Sequence, residues 1–443
     1  MTELAQQLRA ERAALSSAGD PPVPGWWEER REQALATLIA RGWPTSAEED
    51  WKYTNVAPLL QRGLARAPAP PLTTPPAWAT RDGLPEAITL VFVDGHCLGP
   101  ASGAADLPNG VRVCSLRQAL AEDHPALRAQ LAQQPALAAQ PLAAWSTALA
   151  RDGAFVYLPQ GVVLARPVQL LCLTTRGAAE RVVQLRSLLI AEPTSELAVI
   201  ESHAAAPDAA DVACLVNSAT ELVVGANASV AHYLLQRAGQ AATQLATVQA
   251  TQHADSRLTS LTCVLGGALV RNTIGTRLAA PGAQSTLDGL FFAGGRQHVD
   301  NHTTIDHEQP RCASSECYKG ILDGAATGVF NGKVLVRPQA QQTDARQSNH
   351  NLLLSATATV NSKPQLEIFA DDVKCSHGAT IGQLDAEALF YLRARGIDEG
   401  AARSLLTWAF ASEVIERVPF AALRRQLAST VQQRLGLSGL TTT

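Results

Sequence analysis

Short apolar runs and alternating apolar and polar residues dominate the chain from about Phe155 to Phe369. They recur about every 8 to 12 residues and are broken by Gly, Pro, Asn and Asp, as is typical of consecutive β-strands joined by turns. Helical periodicity is missing across this stretch of roughly 200 residues. The pattern predicts a β-sandwich, a β-barrel or a β-solenoid.

Three features favour the solenoid. The region is too long for one ordinary sandwich, its apolar runs are uniformly short, and glycines fall at run ends where a coil would turn, namely Gly266, Gly267, Gly275, Gly289, Gly294 and Gly295. Coils of about 20 to 25 residues would give roughly nine or ten coils and a stack about 45 Å long. We therefore predict a mainly β protein in which residues 155–382 form a parallel β-helix core.

Helical or irregular patterns precede this core. Residues 1–66 have apolar residues at helical intervals and predict an N-terminal helical region. Residues 67–77 contain five prolines, too many for a helix or an interior strand, and predict a stiff linker. Residues 78–154 combine a short strand with helical segments and form a mixed α/β lead-in to the core.

The helical pattern returns after the core. Residues 383–443 predict a C-terminal module of three amphipathic helices. Asp385 and Asp398 each precede a helical pattern and are suited to cap its first turn. The solenoid is thus expected to be flanked by helices at both ends.

Charge and hydropathy exclude several classes of protein. The chain has 36 Lys and Arg against 40 Asp and Glu, a net charge of −4, which argues against a nucleic-acid binder held by phosphate contacts. No run approaches 18 uninterrupted apolar residues, so we expect no membrane span. The N-terminus is charged and helical in pattern rather than a basic stub with an apolar core, and a cytoplasmic location is expected. Eight cysteines without a CxxC spacing do not predict disulfides in such a protein.

Cys375 and His377 form the sharpest candidate for chemistry. Side chains alternate faces along a strand, so a spacing of two places the thiol and the imidazole on one face. Both groups are usual ligands of iron–sulfur and zinc centres, but a closed structural site needs four ligands and no second local pair supplies them. A transient site completed by another chain fits this pattern. A buried cysteine beside a histidine that satisfies a backbone group is the structural alternative.

Several motifs resemble a known family. They are "EEDWKYT" at 48–54, "YKGIL" at 318–322, "GVFNGKVLV" at 328–336, "NLLLS" at 351–355 and the Cys375–His377 stretch. Together they resemble the SufB/SufD family of iron–sulfur cluster assembly scaffolds, most strongly from about Gly289 to Phe410.

The resemblance carries expectations for fold and function. It implies a right-handed parallel β-helix and a non-enzymatic scaffold subunit that joins a SufB-like paralogue and a SufC-like ABC ATPase, with pairing of two copies when the chain is alone. It implies a transient iron–sulfur cluster shared with the partner subunit, with His377 in cluster assembly and Cys375 beside it. It also implies that the C-terminal helices dock the ATPase. No nucleotide-binding motif occurs, so any ATP is expected on a partner.

A second polar row lies at 298–307. His298, Asp300, His302, Thr304 and Asp306 share one strand parity, and His307 lies on the other. Such a row resembles a row of metal ligands, but a polar stripe on the solvent face of a β-helix has the same pattern and is the favoured interpretation. Cys312 and Cys317, five residues apart, match no zinc spacing.

Two other functions are compatible with the solenoid pattern. A carbohydrate-active β-helix enzyme would need paired carboxylates on neighbouring coils, for which Asp300 and Asp306 are the available candidates. A homomeric structural β-helix without a metal role is the other. An export signal, expected for a secreted hydrolase, is not recognisable in the sequence.

Overall fold

The computed structural model describes residues 3–16, 23–104 and 106–437. The outer ends of the predicted helical regions, 1–2 and 438–443, and residues 17–22 lie outside the described residues. The helices are α1 (Glu3–Ser16), α2 (Gly25–Arg41), α3 (Ala57–Leu60), α4 (Leu116–Ala121), α5 (Pro125–Gln130), α6 (Pro135–Ala138), α7 (Pro141–Leu149), α8 (Ala386–Ala394), α9 (Glu399–Ile415) and α10 (Ala421–Arg434).

The strands before and in the first half of the solenoid are β1 (Ile88–Val93), β2 (His96–Cys97), β3 (Arg112–Ser115), β4 (Ala154–Leu158), β5 (Val168–Thr174), β6 (Val182–Ala191), β7 (Glu196–Ala205), β8 (Leu215–Val224), β9 (Ser229–Arg237), β10 (Thr243–Gln252) and β11 (Arg257–Val264). The remaining strands are β12 (Leu269–Leu278), β13 (Gln284–Ala293), β14 (His298–His307), β15 (Ala313–Leu322), β16 (Thr327–Val336), β17 (Thr343–Leu353), β18 (Thr359–Ile368) and β19 (Val373–Gly382).

Consecutive strands from β4 to β19 alternate between two sheets. One sheet has ten strands in the order β19-β17-β15-β13-β11-β9-β7-β5-β1-β2, and the other has nine in the order β18-β16-β14-β12-β10-β8-β6-β4-β3, within the described residues. All pairings among β4 to β19 are parallel. The predicted parallel β-helix flanked by helices is confirmed, and its right hand stays a prediction from the family resemblance.

The predicted coil length is wrong. Registered neighbours lie between 26 residues apart, from Thr243 to Leu269 (269 − 243), and 33 apart, from Phe155 to Leu188 (188 − 155). The described strands β4 to β19 therefore make eight coils, two strands each, rather than nine or ten, and the stack is about 35 Å long. The coils are longer because each joins two strands of mostly ten residues with two turns.

The lead-in covers the first coil. Strand β1 pairs in parallel with β5, and β3 pairs antiparallel with β4, so both sheets are extended at this end. Asp94 and Gly95 both have positive φ between β1 and β2, as a tight hairpin turn requires. The strand edges at this end are thereby covered. The boundaries of the five predicted segments stay predictions.

The helices cover the outer faces of the two sheets. Helix α7, buried along its whole length, packs with α1 and α2 on the nine-stranded sheet, and Trp145 lies edge-to-face with Trp43 at 4.9 Å. Helices α9 and α10 pack on the ten-stranded sheet, where Leu427 and Val431 share a core with Tyr233. The last coil, formed by β18 and β19, lies at the end of the solenoid opposite the lead-in.

Candidate functional site at the open end of the β-helix

The last coil presents unpaired strand edges. Strands β18 and β19 terminate the two sheets, and no further strand of the described chain pairs with either. Apolar side chains here are unusually accessible: Ile368 is 38% exposed, Phe369 62% and Ile381 50%. Open edges with accessible apolar side chains are typical of surfaces that join another chain.

Cys375 and His377 lie on this last strand. They register with Ala345 and Gln347 of β17, whose side chains are buried inside the coil, while the intervening Arg346 is exposed. Parallel pairing keeps the facing of side chains, so the thiol and the imidazole both lie on the inner face at the open end. The spacing argument of the sequence thus agrees with the register.

The environments of the two side chains differ. Cys375 is half-buried and packs against the core that contains Val336 and Ala345, and this burial raises the pKa of its thiol. A metal ion binding there must displace a proton. His377 is exposed. No group of three or more His, Cys, Asp or Glu side chains arranged to hold a metal ion occurs in the described part of the chain.

A groove of about 740 Å³ runs along β15, β17 and β19 beside α9, and His377 and Gly378 are among the residues that line it. Lys319 Nζ lies 2.6 Å from Glu413 Oε2. Arg417 Nη1 lies 2.6 Å from Asp288 Oδ1. These ion pairs connect α9, and the residues just after it, to strands of the same sheet that carries the open end.

Helix α8 follows directly after β19. Its N-cap is confirmed, because Asp385 accepts hydrogen bonds from the backbone of Glu387 and Ala388. The helix has no buried residue, and Phe390 and Tyr391 are 74% and 55% exposed. An exposed aromatic pair on a helix is typical of a docking surface.

The polar row on β14 is only partly exposed: Asp300 is buried, Thr304 is exposed, and His298, His302 and Asp306 are half-buried. Asp300 is fully buried between the guanidinium of Arg271 and the hydroxyl of Thr54, which both contact its Oδ2. His302 Nε2 lies 3.0 Å from Asp300 Oδ1, and His298 Nε2 lies 2.8 Å from Thr54 Oγ1. Burial alone would raise the pKa of Asp300, but the charges of Arg271 and His302 outweigh it and hold that pKa well below its ordinary value.

This network fastens the "EEDWKYT" segment, here called the N-terminal strap (residues 48–54), to the nine-stranded sheet. The Trp51 ring lies 3.9 Å from the Arg271 guanidinium carbon. Glu49 pairs with Lys363 on β18, so the strap reaches the last coil. The sequence motif therefore has a packing role visible in the structure.

The other members of the second row also have local partners. His307 lies inside the coil with its Nε2 2.9 Å from Ser314 Oγ, and burial lowers its pKa to about 4. Arg337 donates to Asp306, with Nη2–Oδ2 at 2.9 Å. Asp300 and Asp306 are on the same strand and each is held by an arginine, so they do not form the carboxylate pair that a carbohydrate-active enzyme needs.

The cysteine pair does not converge either. Cys312 packs inside the coil with Leu278 and Ile305, whereas Cys317 lines the outer groove, 3.8 Å from Arg417 Nη2.

Sequence reasoning missed a buried carboxyl near the open end. Glu316 of β15 is 2% exposed, and Gln347 Nε2 donates to its Oε2 at 2.7 Å. Burial raises the pKa of Glu316 to about 7. The available signal was the strand "ASSECYKGIL", in which Glu316 shares parity with Tyr318 and Leu322, residues that face the core.

Comparison with known proteins agrees with these features. Residues 173–410 match the family described as "SUF system FeS cluster assembly, SufBD core domain", and residues 23–170 match the "SufBD protein N-terminal region". The chain belongs to the SufBD family of iron–sulfur cluster assembly proteins.

Within this family the chain is SufD-like. It is 31% identical to the iron–sulfur cluster assembly protein SufD of Escherichia coli over 91% of this chain and 92% of that protein. It is 33% identical to a SufBD family iron–sulfur cluster assembly protein of Synechocystis over 98% of this chain and 96% of that protein. Among the described residues, no helix has the length and apolar character needed to cross a membrane.

Proposed function

We propose that this chain is a non-enzymatic, cytoplasmic scaffold subunit for iron–sulfur cluster assembly that joins a SufB-like paralogue at its open end and carries a SufC-like ABC ATPase on its C-terminal helices. The observation that supports this most is the last coil, where unpaired strand edges, accessible apolar side chains and the Cys375–His377 pair occur together. The substrates are iron and sulfide, and the product is a transient cluster passed on to other proteins.

The incomplete ligand pair supports assembly across an interface. A partner strand that pairs with β19 would bring its own side chains over the inner face of Cys375 and His377. Thiolates and imidazoles from two chains then complete a coordination set that neither completes alone. Imidazole suits transient binding, because it releases a metal on protonation near its ordinary pKa of about 6.5. No nucleotide is assigned to this chain. When the paralogue is missing, the same surface is suited to pairing two copies.

The decisive variant is His377→Ala, purified as the complex with the paralogue and the ATPase from cells without other assembly systems. We expect the complex to form, since an exposed side chain contributes little to the core, while its iron and acid-labile sulfide fall at least several-fold. Cys375→Ser should have a milder effect. His350→Ala is a matched control, because His350 lies on the adjacent strand and faces the outer groove.

Cluster content equal to wild type in the His377→Ala complex would remove this histidine from assembly. Failure of the complex to form would instead assign it a structural role. If no iron or sulfide is found in the wild-type complex, a structural β-helix without a metal role becomes the better description of the chain.

We place docking of the ATPase on α8, and its exposed aromatic pair supports this. Replacing Phe390 and Tyr391 by serine removes apolar contact area from a helix that buries nothing in this chain, so folding should be unaffected. We expect loss of ATPase co-purification. Tyr53→Ser, another exposed aromatic but on the N-terminal strap, is the control. Unchanged capture by the double variant would contradict the assignment.

A further inference from the structure

Polar side chains are buried inside the solenoid beside its apolar clusters, and they continue to the open end. In the first coils a large apolar cluster that includes Val199 and Leu234 shares the interior with the Glu201–His232 pair. In the later coils apolar residues such as Leu287 and Val334 share the inward positions with buried polar residues, namely Asn272, Asn301, Thr303, Glu316, Gln347, Asn349 and Asn351. Buried polar groups lower stability unless they are paired. Places where a sequence departs from an apolar core are often functional.

These polar side chains are linked from coil to coil. Asn272 Nδ2 donates to Gln236 Oε1 and to Asn301 Oδ1, both at 2.9 Å. Closer to the end, Ser362 donates to Asn349 Oδ1 at 2.7 Å, and Gln347 donates to Glu316 Oε2. The register continues from Glu316 to Gln347 and then to His377 on three neighbouring strands of one sheet. The buried carboxyl is therefore two strands from the candidate ligands, about 10 Å away.

Glu316 has no cation partner in this interior. The groups that face it from the packed elements are Thr303 on β14 and Gln347 on β17, with Tyr318 beside it on its own strand. His307 on β14 faces the same interior but contacts Ser314.

The charged groups nearby lie on the outer side of the same sheet. Asp288 on β13 acts on Glu316 as a like charge and is itself paired with Arg417. Lys319 is paired with Glu413, and Arg346 with Asp344. Glu316 is buried, and the side chains that hydrogen-bond to it, Thr303 and Gln347, are both neutral. A carboxyl so placed changes its charge with pH without an arginine or lysine to hold it ionised.

We propose that Glu316 is a positioning residue for metal loading at the open end: its ionised carboxylate, buried two strands beneath Cys375 and His377, attracts the incoming metal cation, and its protonated form does not. This inference rests on the proposed function, because it assumes that those two residues receive iron. It adds a pH-dependent control by a group that is not itself a ligand. Metal loading becomes stronger as the carboxyl ionises, around neutral pH.

The expected size follows from Coulomb attraction. A single negative charge and a divalent cation about 10 Å apart, with an effective dielectric constant between those of a protein surface and water, change affinity roughly tenfold. The carboxyl is buried, so salt screens this interaction less than it screens a surface pair.

The test is titration of the full chain with Co²⁺ at pH 6 and pH 8, followed by the visible absorption of cobalt bound to thiolate and imidazole. Glu316→Gln should bind Co²⁺ roughly tenfold more weakly than wild type at pH 8 and nearly as well as wild type at pH 6, where wild-type Glu316 is itself mostly neutral. Glu316→Asp retains the charge and should keep the pH dependence. Glu201→Gln is the matched control, since Glu201 is also buried inside the solenoid but pairs with His232 in early coils.

Three outcomes would overturn the inference. Glu316→Gln could match wild type at both pH values, or lose affinity equally at both, which indicates a structural effect alone. Wild type could also fail to bind Co²⁺ at pH 8. His377→Ala measured in parallel separates the two proposals: wild-type affinity in that variant argues against the proposed site, whereas an effect of His377→Ala without an effect of Glu316→Gln argues only against the control by Glu316.

Discussion

Glu316→Gln should make the protein more stable at alkaline pH, whatever the function of the residue. The carboxyl is buried inside the coil without a cation, and its pKa rises from an ordinary 4.5 to about 7. Glutamine has the shape of the protonated acid and keeps an acceptor for the Gln347 amide. The substitution therefore removes the ionisation and leaves the packing nearly unchanged.

The magnitude follows from the pKa difference. Between pH 4.5 and about 7, the unfolded chain has released this proton while the folded chain still holds it, so stability falls as the pH rises. A difference of about 2.5 pH units corresponds to about 3 kcal/mol. Above about pH 7 the carboxyl is ionised in both the folded and the unfolded chain, so this group no longer changes the stability. Relative to wild type, Glu316→Gln should thus gain about 3 kcal/mol between pH 4.5 and pH 8.

The assay is urea denaturation of both proteins at several pH values, with the free energy of unfolding taken from the linear region. Glu201→Gln gives a control of opposite sign. Burial would raise the pKa of Glu201, but the hydrogen bond and charge of His232, with His203 and Thr220, together outweigh it and lower this pKa. Glu201 therefore stabilises the fold above its ordinary pKa, and its removal costs more as pH rises. If the stability difference between wild type and Glu316→Gln is the same at pH 4.5 and pH 8, Glu316 is not a neutral acid in the fold and the reasoning is refuted.

Three further substitutions test the packing. Asp300→Asn leaves Arg271 buried without its anion and should lower the free energy of unfolding by about 3–5 kcal/mol, as measured by urea denaturation. Because the pKa of Asp300 lies below its ordinary value, the loss should persist at pH 5. A loss of less than about 1 kcal/mol would contradict the network. Gly153→Ala places a Cβ 1.9 Å from the backbone oxygen of Arg186 and should destabilise by about 1–3 kcal/mol; wild-type thermal stability would show that this close approach is absent. Leu427→Ala opens a cavity between α10 and the ten-stranded sheet and should cost about 2–5 kcal/mol, and no loss in thermal or urea unfolding would mean that α10 does not pack there.

The kinds of element were determined by the sequence alone. Short runs broken by turn residues predicted a parallel β-helix, and it is present because each strand buries an apolar face against the opposite sheet. Asp385 and Asp398 cap helices as predicted, because capping depends only on residues within one turn. The shared face of Cys375 and His377 followed from strand alternation in the same local way, while their role in cluster assembly stays a prediction.

The tertiary structure determined which residues pack against each face of a strand. Alternation shows that Asp300 and His302 point the same way, but only the packing of the N-terminal strap, about 250 residues earlier in the sequence, turned that face into a buried ion pair. The number of residues in a coil depends on how many strands and turns each coil contains. The composition of the turns does not show this number. The strand parity of Glu316 with Tyr318 and Leu322 indicated only that the three residues share one face. Glu316 is buried because the eight coils stack in register. This stacking depends on contacts between strands about 30 residues apart, which no local sequence pattern predicts.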